Sequence, residues 1–330
     1  MKDEIISMLV KSQDYVSGEE ISQKLGVTRT AIWKHIKELK REGYKITAHP
    51  RKGYKLEHYP DIPAYYLLKP FLKTSYLGHT GEYHDLIGST NDRAKELAAS
   101  KVPEGFLVSA NGQTAGRGRL GRSWNSPPGQ GLYFSLVLYP NLPPVELPGL
   151  TLLAGLALAQ TLEVLGVNVQ IKWPNDLLIN GRKVAGILTE IAAEAERTIY
   201  AVVGIGINIE PLAEEVKSSF AYPATALKEH LPEVSRQSLL ALFLERFEKL
   251  YEEFKKGEFS RSLTEYKRRM AFLGEEVMII TGDREYRGVL HDLGEDGSLI
   301  INDGKTIKRF AAGEISLRRK EEEGEDVFSG

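Results

Sequence analysis

The chain of 330 residues contains no cysteine. This absence excludes disulfides, thiolate nucleophiles and cysteine-based metal sites, and it fits a protein of the reducing cytoplasm. The seven histidines are scattered, without the H-E-x-x-H spacing of a zinc-dependent protease. The formal net charge of -2 excludes a uniformly basic nucleic-acid-binding protein. A local basic domain is still compatible with that value, so the charge has to be examined segment by segment.

Long uninterrupted apolar runs are also missing. The most apolar stretch, residues 147–165, contains Pro148, Gln160 and Glu163, and this pattern predicts a buried helix rather than a membrane span. The first residues, MKDEIISMLVKSQD, place acids where a signal peptide needs a continuous apolar core. We therefore expect a cytoplasmic protein without a membrane partner.

The first sixty residues have the order of elements of a winged helix-turn-helix. A short apolar face at Ile21 and Leu25 is followed by a tight turn. Thr28 then caps a second helix, which carries apolar side chains at helical spacing and ends at Gly43. The alternating segment YKITAHPRKGYKL predicts two short strands that are joined by a turn at residues 50–53. Helix, turn, helix and hairpin in this order are typical of DNA-binding domains.

The local charge of this segment also favours DNA binding. Residues 24–55 contain ten Lys and Arg but only two Glu, and such a surplus suits contacts with phosphates. The alternative is a small helical protein-interaction domain with solvated lysines. The side chains predicted to face DNA are Arg29, Thr30, Lys34 and Lys37 of the second helix, together with Arg51 and Lys52 at the tip of the wing.

The segment GRGRLGRSW, residues 116–124 and hereafter the glycine-arginine loop, spells G-x-G-x-x-G with three arginines. A dinucleotide-binding fingerprint opens a helix, whereas here prolines and a strand at residues 132–139 follow. No G-K-[ST] closes the segment, so it is not a Walker A loop either. The pattern predicts a flexible loop after the strand at residues 106–110. Its backbone N–H groups and arginine forks suit carboxylate or phosphate oxygens, and Trp124 offers a face for a ring.

The segment KWPNDLLINGRKVAGIL combines cations with a carboxylate and an amide. An Asn-Gly pair at residues 180–181 predicts a two-residue hairpin turn, which sets Lys183 against Asp176. We expect Lys172, Asn175 and Asp176 to precede the first strand of that hairpin and Lys183 to open the second. Such a group suits a nucleoside triphosphate with Mg²⁺, and a plain surface salt bridge is the alternative.

Two further patterns concern polar and small residues. Ser89, Thr90 and Asn91 directly precede a helical run, where they serve either as an ordinary N-cap or as ligands for a polar group. Gly204 and Gly206 fall on one face of a strand, which predicts a slot for something flat or a bulge. The chain shows no Ser/His/Asp triad and no paired carboxylates. Arginine, lysine, glycine and amides act by positioning and by stabilising negative charge, as in carboxylate adenylation or phosphoryl transfer.

These segments, together with GIGIN and the final GEISL, resemble those of the bifunctional biotin protein ligases and biotin operon repressors of bacteria. The resemblance covers almost the whole chain, and the winged helix matches the repressor-type members. It implies that the biotin carboxylate attacks the α-phosphate of ATP, with Mg²⁺, to give biotinyl-5′-AMP. A lysine of the biotin carboxyl carrier protein of acetyl-CoA carboxylase then takes the biotin. The resemblance also implies that the adenylate promotes a homodimer, which binds operator DNA.

The resemblance assigns residues to these roles. It implies catalytic roles for Arg119 and Lys183. The positions that match the family's biotin site are Ser89, Thr90, Asn91, Gln113, Gly116, Arg117, Gly118, Arg119, Lys183, Gly186, Gly204 and Gly206. Those that match its ATP and adenylate site are Arg119, Arg122, Trp124, Lys172, Asn175, Asp176 and Asn208, with Asp176 also as a Mg²⁺ contact. Family members often carry a tryptophan after GIGIN, which this chain lacks, so Phe220 or Tyr222 would have to take its place at the adenylate.

The resemblance implies a multidomain α+β fold. We expect a winged helix-turn-helix in residues 1–62 and a mixed α/β catalytic domain of the biotin/lipoate ligase, class II synthetase-like fold in residues 63–271. A small SH3-like β-barrel is expected in residues 272–320, followed by a disordered acidic tail at residues 321–330. Two other functions are carried as alternatives. One is a ligand-sensing transcription factor without ligase activity, and the other is a lipoate ligase, which shares the fold but lacks this arginine pattern.

Overall fold

The computed structural model describes residues 1–12, 14–211, 223–281 and 284–311, and the backbone of residues 315–319. The predicted acidic tail and the two aromatic candidates Phe220 and Tyr222 lie outside the described residues. No helix within the described part is long and apolar enough to cross a membrane.

The N-terminal unit is the winged helix-turn-helix that the sequence predicts. Its helices are α1 (Lys2–Ser12), α2 (Gly18–Leu25) and α3 (Arg29–Arg41), and its strands are β1 (Lys45–His49) and β2 (Gly53–His58). Thr28 is the N-cap of α3, and its side chain accepts a hydrogen bond from Ala31 N. Gly43 follows the end of the helix with a φ of +93°, a conformation that favours glycine. Both predicted ends of this helix are therefore confirmed.

A seven-stranded mixed sheet forms the centre of the molecule. Its strands are β3 (Gly81–His84), β4 (Leu107–Ala110), β5 (Gly131–Leu138), β6 (Gln170–Lys172), β7 (Asp176–Ile179), β8 (Arg182–Glu194) and β9 (Arg197–Asn208). They lie in the order β3-β4-β5-β9-β8-β7-β6. The pair β3–β4 is parallel, and all other neighbours are antiparallel.

Helices cover both faces of this sheet. They are α4 (Tyr65–Leu68), α5 (Thr90–Ala99), α6 (Gly149–Val164), α7 (Arg236–Lys255) and α8 (Phe259–Lys267). Ala94 and Ala98 of α5 pack on Val108 and Val202 of one face, whereas α6 and α7 share the large core of the other face. Because most of α6 is buried between the sheet and α7, the interpretation of its apolar run as a core helix is confirmed.

Two local assignments differ slightly from the sequence prediction. Ser89 alone is the N-cap of α5, and Thr90 and Asn91 form its first turn instead of preceding it. Lys172 ends strand β6 and Asp176 opens β7, so both belong to strands. The predicted hairpin turn between β7 and β8 is confirmed, with positive φ values at both of its central residues.

The C-terminal unit is a five-stranded antiparallel sheet. Its strands are β10 (Glu276–Thr281), β11 (Arg284–Leu293), β12 (Leu299–Asn302), β13 (Ile307–Phe310) and β14 (Ile315–Arg319), in the order β13-β12-β11-β10-β14. Short alternating strands are expected here from the sequence. The buried Trp173 donates a hydrogen bond of 3.1 Å from Nε1 to Gly297 O, and this contact joins the unit to the turn between β6 and β7.

Candidate active site and DNA-contacting surface

The N-terminus of α5 holds a cluster of buried polar side chains. Gln113 Oε1 accepts hydrogen bonds from Thr90 N at 2.8 Å and from Thr90 Oγ1 at 3.1 Å, and Gln113 Nε2 donates to Ser126 Oγ at 2.9 Å. Ser89 Oγ accepts a long bond of 3.5 Å from Asp92 N. The hydroxyl residues of this cluster are all buried. A helix N-terminus that is lined by hydroxyls and an amide suits the polar part of a ligand.

Asn91 completes this cluster and is held from three sides. Its Oδ1 lies 2.6 Å from Ser135 Oγ. Its Nδ2 donates to Leu188 O at 3.2 Å and to Glu190 Oε2 at 2.8 Å. A Cβ atom at Gly204 would lie only 1.9 Å from Asn91 Oδ1, so strand β9 needs glycine there. One half of the predicted glycine slot is therefore occupied by a side chain of the protein itself.

The glycine-arginine loop forms a compact hairpin where the sequence predicts a flexible segment. Gly118 N donates to Arg122 O at 2.7 Å, and Trp124 N donates to Gly116 O at 2.9 Å. A Cβ atom at Gly116 would lie 2.5 Å from Trp124 O, which explains the need for glycine at that position. Leu120 lies at the tip with half of its surface exposed. The backbone hydrogen bonds close this segment on itself and turn its side chains to different sides.

The three arginines of the loop occupy different environments. Arg117 forms an ion pair with Asp92 of α5. Arg119 is partly buried and donates from NH1 to Asn175 Oδ1 at 3.0 Å, and burial lowers the pKa of its guanidinium below the usual value. Arg122 is exposed. Arg119 is thus the arginine that contacts the turn between β6 and β7.

Trp124 lies on a cross-strand pair of glycines. Gly186 of β8 is the register partner of Gly206 of β9. A Cβ atom at Gly206 would lie 2.4 Å from Trp124 Nε1, and one at Gly186 would lie 2.9 Å from Trp124 Cζ3. A slot for a flat group therefore lies over Gly186 and Gly206 instead of over the predicted pair Gly204 and Gly206, and the indole occupies it. The buried Nε1 has no hydrogen-bond partner among the residues that the structure describes.

Lys183 links this ring to the predicted nucleotide segment. Its Nζ lies 5.1 Å from the centroid of the Trp124 ring and 2.6 Å from Asp176 Oδ1. Lys172, which is buried, is the register partner of Asp176 in the β6–β7 ladder. The structure thus confirms the predicted proximity of Lys183 and Asp176. With Arg119 nearby, cations outnumber the single carboxylate, which suits a ligand with negative charge.

Asn208 is at the end of β9, where it helps to hold a neighbouring segment. Its Nδ2 donates to Thr225 O at 3.1 Å, and Thr225 N donates to Lys183 O at 2.9 Å. Thr225 Oγ1 lies 3.0 Å from His230 Nε2. Thr225 and His230 are not among the predicted site residues, since no local pattern in the sequence relates either of them to Lys183. They connect Asn208 with the strand that carries the lysine.

The predicted DNA-contacting residues lie on the surface. The exposed ones are Arg29, Thr30, Lys34 and Lys37 of α3, and Arg51 and Lys52 of the turn between β1 and β2. Arg29 also forms an ion pair with Glu19 of α2. Both wing residues donate a backbone N–H to His49 Nδ1 at 3.2 Å, which shapes the turn.

Trp33 is a residue of this surface that the sequence analysis does not select. It lies on α3 with 55% of its surface exposed, and Lys37 Nζ lies 5.3 Å from its ring centroid. Its spacing of four residues from Arg29 and from Lys37 places it on the same side of the helix. That spacing is a signal from which the sequence could have identified it.

Family models match successive parts of the chain. Residues 2–55 match a model described as an HTH domain, and residues 83–208 match the biotin/lipoate A/B protein ligase family. Residues 272–318 match the biotin protein ligase C-terminal domain.

Relatives of known function cover nearly the whole chain. The bifunctional ligase/repressor BirA of Bacillus subtilis is 37% identical over 318 residues, which is 96% of this chain and 98% of that protein. The protein of the same name from Escherichia coli is 32% identical, over 97% of this chain and 100% of its own length. Among solved structures, a biotin protein ligase from Aquifex aeolicus in complex with biotin and ATP is 34% identical. It aligns with a TM-score of 0.63 and covers 73% of this chain and 99% of its own.

Proposed function

Since this chain belongs to the family of bifunctional biotin protein ligases and repressors, we propose that it makes biotinyl-5′-AMP from biotin and ATP in the site around Lys183. The acyl group then passes to a lysine of a biotin carboxyl carrier protein. Biotin ligation and a repressor role follow from the family. The observation that carries the assignment of the site is the position of Lys183, between Asp176 and the ring of Trp124.

The first step needs no nucleophile from the protein. An oxygen of the biotin carboxylate attacks the α-phosphorus of ATP, a new P–O bond forms, and the bond to the β-phosphate oxygen breaks to release pyrophosphate. Negative charge develops on the phosphate oxygens, and fixed cations stabilise it. Lys183 and Arg119 are the cations of the site that we propose for this role, because Arg119 is partly buried and both are fixed by hydrogen-bonding or charged partners.

The second step transfers the acyl group. The neutral amine of the carrier lysine attacks the acyl carbon, the C–O bond to the phosphate breaks, and AMP leaves while the attacking nitrogen loses a proton to water. Holding the amine and the acyl carbon in the reacting geometry lowers the barrier of such a reaction. The glycine-arginine loop contacts both α5 and the β6–β7 turn, so it is suited to keep water from the mixed anhydride.

We assign the two ends of the ligand to two parts of the site. The polar cluster at the N-terminus of α5 suits the polar ring of biotin, since within the described part of the chain Ser89 Oγ accepts only one long hydrogen bond. The buried Nε1 of Trp124 has no hydrogen-bond partner among the described residues, and we assign it as a donor to the ligand beside the indole. The biotin-binding residues are Ser89, Thr90, Asn91, Gln113, Gly116, Arg117, Gly118, Arg119, Lys183, Gly186, Gly204 and Gly206. The adenylate-binding residues are Arg119, Arg122, Trp124, Lys172, Asn175, Asp176 and Asn208.

Mg²⁺ enters this proposal together with ATP. Among the described residues, no group of three or more His, Asp or Glu side chains could hold a metal ion. Mg²⁺ is commonly held by one or two carboxylates together with the phosphates of a substrate, and Asp176 is the carboxylate that fits this pattern. The ion would neutralise part of the phosphate charge.

Biotin-dependent exchange of labelled pyrophosphate into ATP tests the adenylation step. It requires neither DNA nor a carrier protein, and lipoate and octanoate serve as alternative acids. We expect exchange with biotin and none with the other two acids. Lys183→Met should reduce exchange by about 100-fold or more, as expected for loss of a transition-state cation, whereas the exposed Lys73→Met should not change it. Binding of biotin without exchange would identify a ligand sensor instead of a ligase.

We further propose that the N-terminal unit binds operator DNA of biotin genes as a homodimer, which the adenylate promotes. The exposed basic residues of α3 and the wing support the DNA contact. The dimer is supported by the two-fold symmetry of helix-turn-helix operators and by the exposed apolar side chains Ile191 and Ile199 of the β8–β9 hairpin. Sedimentation with and without biotin and ATP tests the dimer. Trp33→Ala should weaken operator binding if the indole touches the bases.

We place the domain boundaries at residues 1–62, 63–271 and 272–320. Asp61 lies at the first of these boundaries, and its carboxylate accepts hydrogen bonds from Arg236 N and Arg236 NH1 at the start of α7. Arg236 is buried and also donates to Gly129 O and Gly131 O near β5. This connection ties the end of the first domain to the second. Since the carrier protein and the operator are both cytoplasmic in bacteria, we propose the same compartment for this chain.

A further inference from the structure

Four charged side chains form a closed network beside the proposed biotin site. They are Asp92 and Lys95 of α5, Arg117 of the glycine-arginine loop and Glu190 of β8, and we call them the latch. Lys95 Nζ lies 3.0 Å from Asp92 Oδ1 and 2.6 Å from Glu190 Oε1. Arg117 NH2 pairs with Asp92 and lies 3.8 Å from Glu190 Oε2. Two cations and two carboxylates therefore alternate around a ring.

Arg117, Lys95 and Asp92 of the latch favour their charged forms, because each has its pKa shifted in that direction. The hydrogen bond to Asp92 raises the pKa of Arg117 above its usual value. Burial opposes the ionisation of Asp92, but hydrogen bonds from Arg117 and Lys95 outweigh it and lower the pKa of that carboxyl. The side chains are 28–41% exposed, so a single pair would contribute little. Several charges in one network contribute more than isolated surface pairs.

Glu190 connects the glycine-arginine loop with Asn91 at the start of α5. The oxygen that faces Arg117, Oε2, also accepts the hydrogen bond from Asn91 Nδ2. Asn91 in turn belongs to the polar cluster at the start of α5. The loop is thus attached at two points, to α5 and β8 through Arg117 and to the β6–β7 turn through Arg119. These two attachments hold the glycine-arginine loop across the space between the start of α5 and the β6–β7 turn.

We propose that the latch keeps the glycine-arginine loop closed and thereby retains the acyl-adenylate until the carrier lysine arrives, with Glu190 as a positioning residue for Asn91. In addition to the biotin contact proposed above, Arg117 acts through its carboxylate partners on the protein. The identity of the retained molecule rests on the proposed function, whereas the closure of the loop does not.

Limited proteolysis tests the closure independently of any activity. Trypsin cleaves after arginine, and Arg122 is an exposed site within the loop. Asp92→Asn and Glu190→Gln should speed cleavage in the loop about three- to tenfold, which corresponds to the loss of one pair from a partly exposed network. The control is Glu82→Gln, which breaks the pair between Glu82 of β3 and Arg93 of α5 and leaves the latch intact. Equal cleavage rates in all of these variants and the wild type would overturn the proposal.

A double-mutant cycle on intermediate release tests the consequence. Enzyme loaded with labelled biotin and ATP is chased with unlabelled biotin, and escape of the labelled adenylate is followed. Asp92→Asn should release it about three- to tenfold faster with the rate of pyrophosphate exchange little changed. Arg117→Met combined with Asp92→Asn should release it no faster than Arg117→Met alone, because Asp92 acts through Arg117.

The outcomes separate the two proposals. Faster cleavage without pyrophosphate exchange in the wild type would leave the latch in place and reject the ligase. Exchange with unchanged release in Asp92→Asn would reject the latch and leave the ligase in place. Additive effects in the double variant would assign Asp92 a role of its own, which contradicts the latch. A rise in the KM for biotin as the sole effect of Arg117→Met, with unchanged release of the adenylate, would leave Arg117 with its ligand contact alone and also contradict the latch.

Discussion

Gly204→Ala is a small change that tests the contact between Asn91 and strand β9 in the proposed site. The added Cβ would lie 1.9 Å from Asn91 Oδ1 and 2.7 Å from Asn91 Cγ. To restore a separation of even 3.0 Å between the new Cβ and Asn91 Oδ1, the amide oxygen would have to move by about 1.1 Å. Asn91 has little room to move, because it is buried and bonded to Ser135, Leu188 and Glu190.

The cost of this displacement follows from the bonds that it breaks. Retreat of the oxygen disrupts the 2.6 Å contact with Ser135 Oγ and strains the two bonds of Nδ2. A buried polar group without its partner costs about 1–3 kcal/mol, and overpacking of a core costs about 1–3 kcal/mol. We expect Gly204→Ala to lower the free energy of unfolding of the catalytic domain by about 2–4 kcal/mol.

Urea unfolding and calorimetric titration with biotin measure the two consequences. Biotin affinity should fall at least about tenfold, since the displaced amide carries the polar cluster with it. The matched control is Gly155→Ala in the buried helix α6, where the nearest heavy atom would be 3.6 Å from the new Cβ. That variant should be neutral or gain about 0.5–1 kcal/mol. Wild-type stability and affinity in Gly204→Ala would refute the described contact between Asn91 and β9.

Three further predictions concern the loop, the wing and acid stability. Arg119→Gly should raise labelling of bystander lysines by about 10–100-fold, because the variant loses both the cation proposed to hold the adenylate and its hydrogen bond to Asn175; labelling confined to the carrier protein would contradict this role. Arg51→Ala with Lys52→Ala should weaken operator binding and reduce the slope of log K against log salt by about 1–2, with ligation unchanged; an unchanged slope would remove the wing from the interface. The hydrogen bond from Arg93 outweighs burial and lowers the pKa of the Glu82 carboxyl. The pair therefore stabilises the folded protein at a pH above the usual glutamate pKa, and this stabilisation is lost as the pH falls through the lowered pKa of Glu82. Glu82→Gln should therefore cost about 0.5–1 kcal/mol at pH 7 and nothing in strong acid, as measured by urea unfolding at both pH values; an equal difference at both would show that the charge is not the cause.

The sequence by itself determined the local features that depend on neighbouring residues. The caps of α3 at Thr28 and Gly43, and the hairpin turn that brings Lys183 to Asp176, follow from hydrogen bonding and backbone conformation within a few residues. Such features need no knowledge of the rest of the chain. The resemblance to a known family then supplied the expected ligands and the residues to examine.

Only the tertiary structure decided which distant groups meet. Asn91 fills the space above Gly204, and Trp124 lies on the glycines of two neighbouring strands. Nothing within either segment specifies these contacts, since they depend on the order of strands in the sheet and on the position of α5. Glu190 shows the same point, because it meets Asn91 99 residues away along the chain. Side chains so far apart in sequence are brought together by packing, and packing is a property of the whole fold.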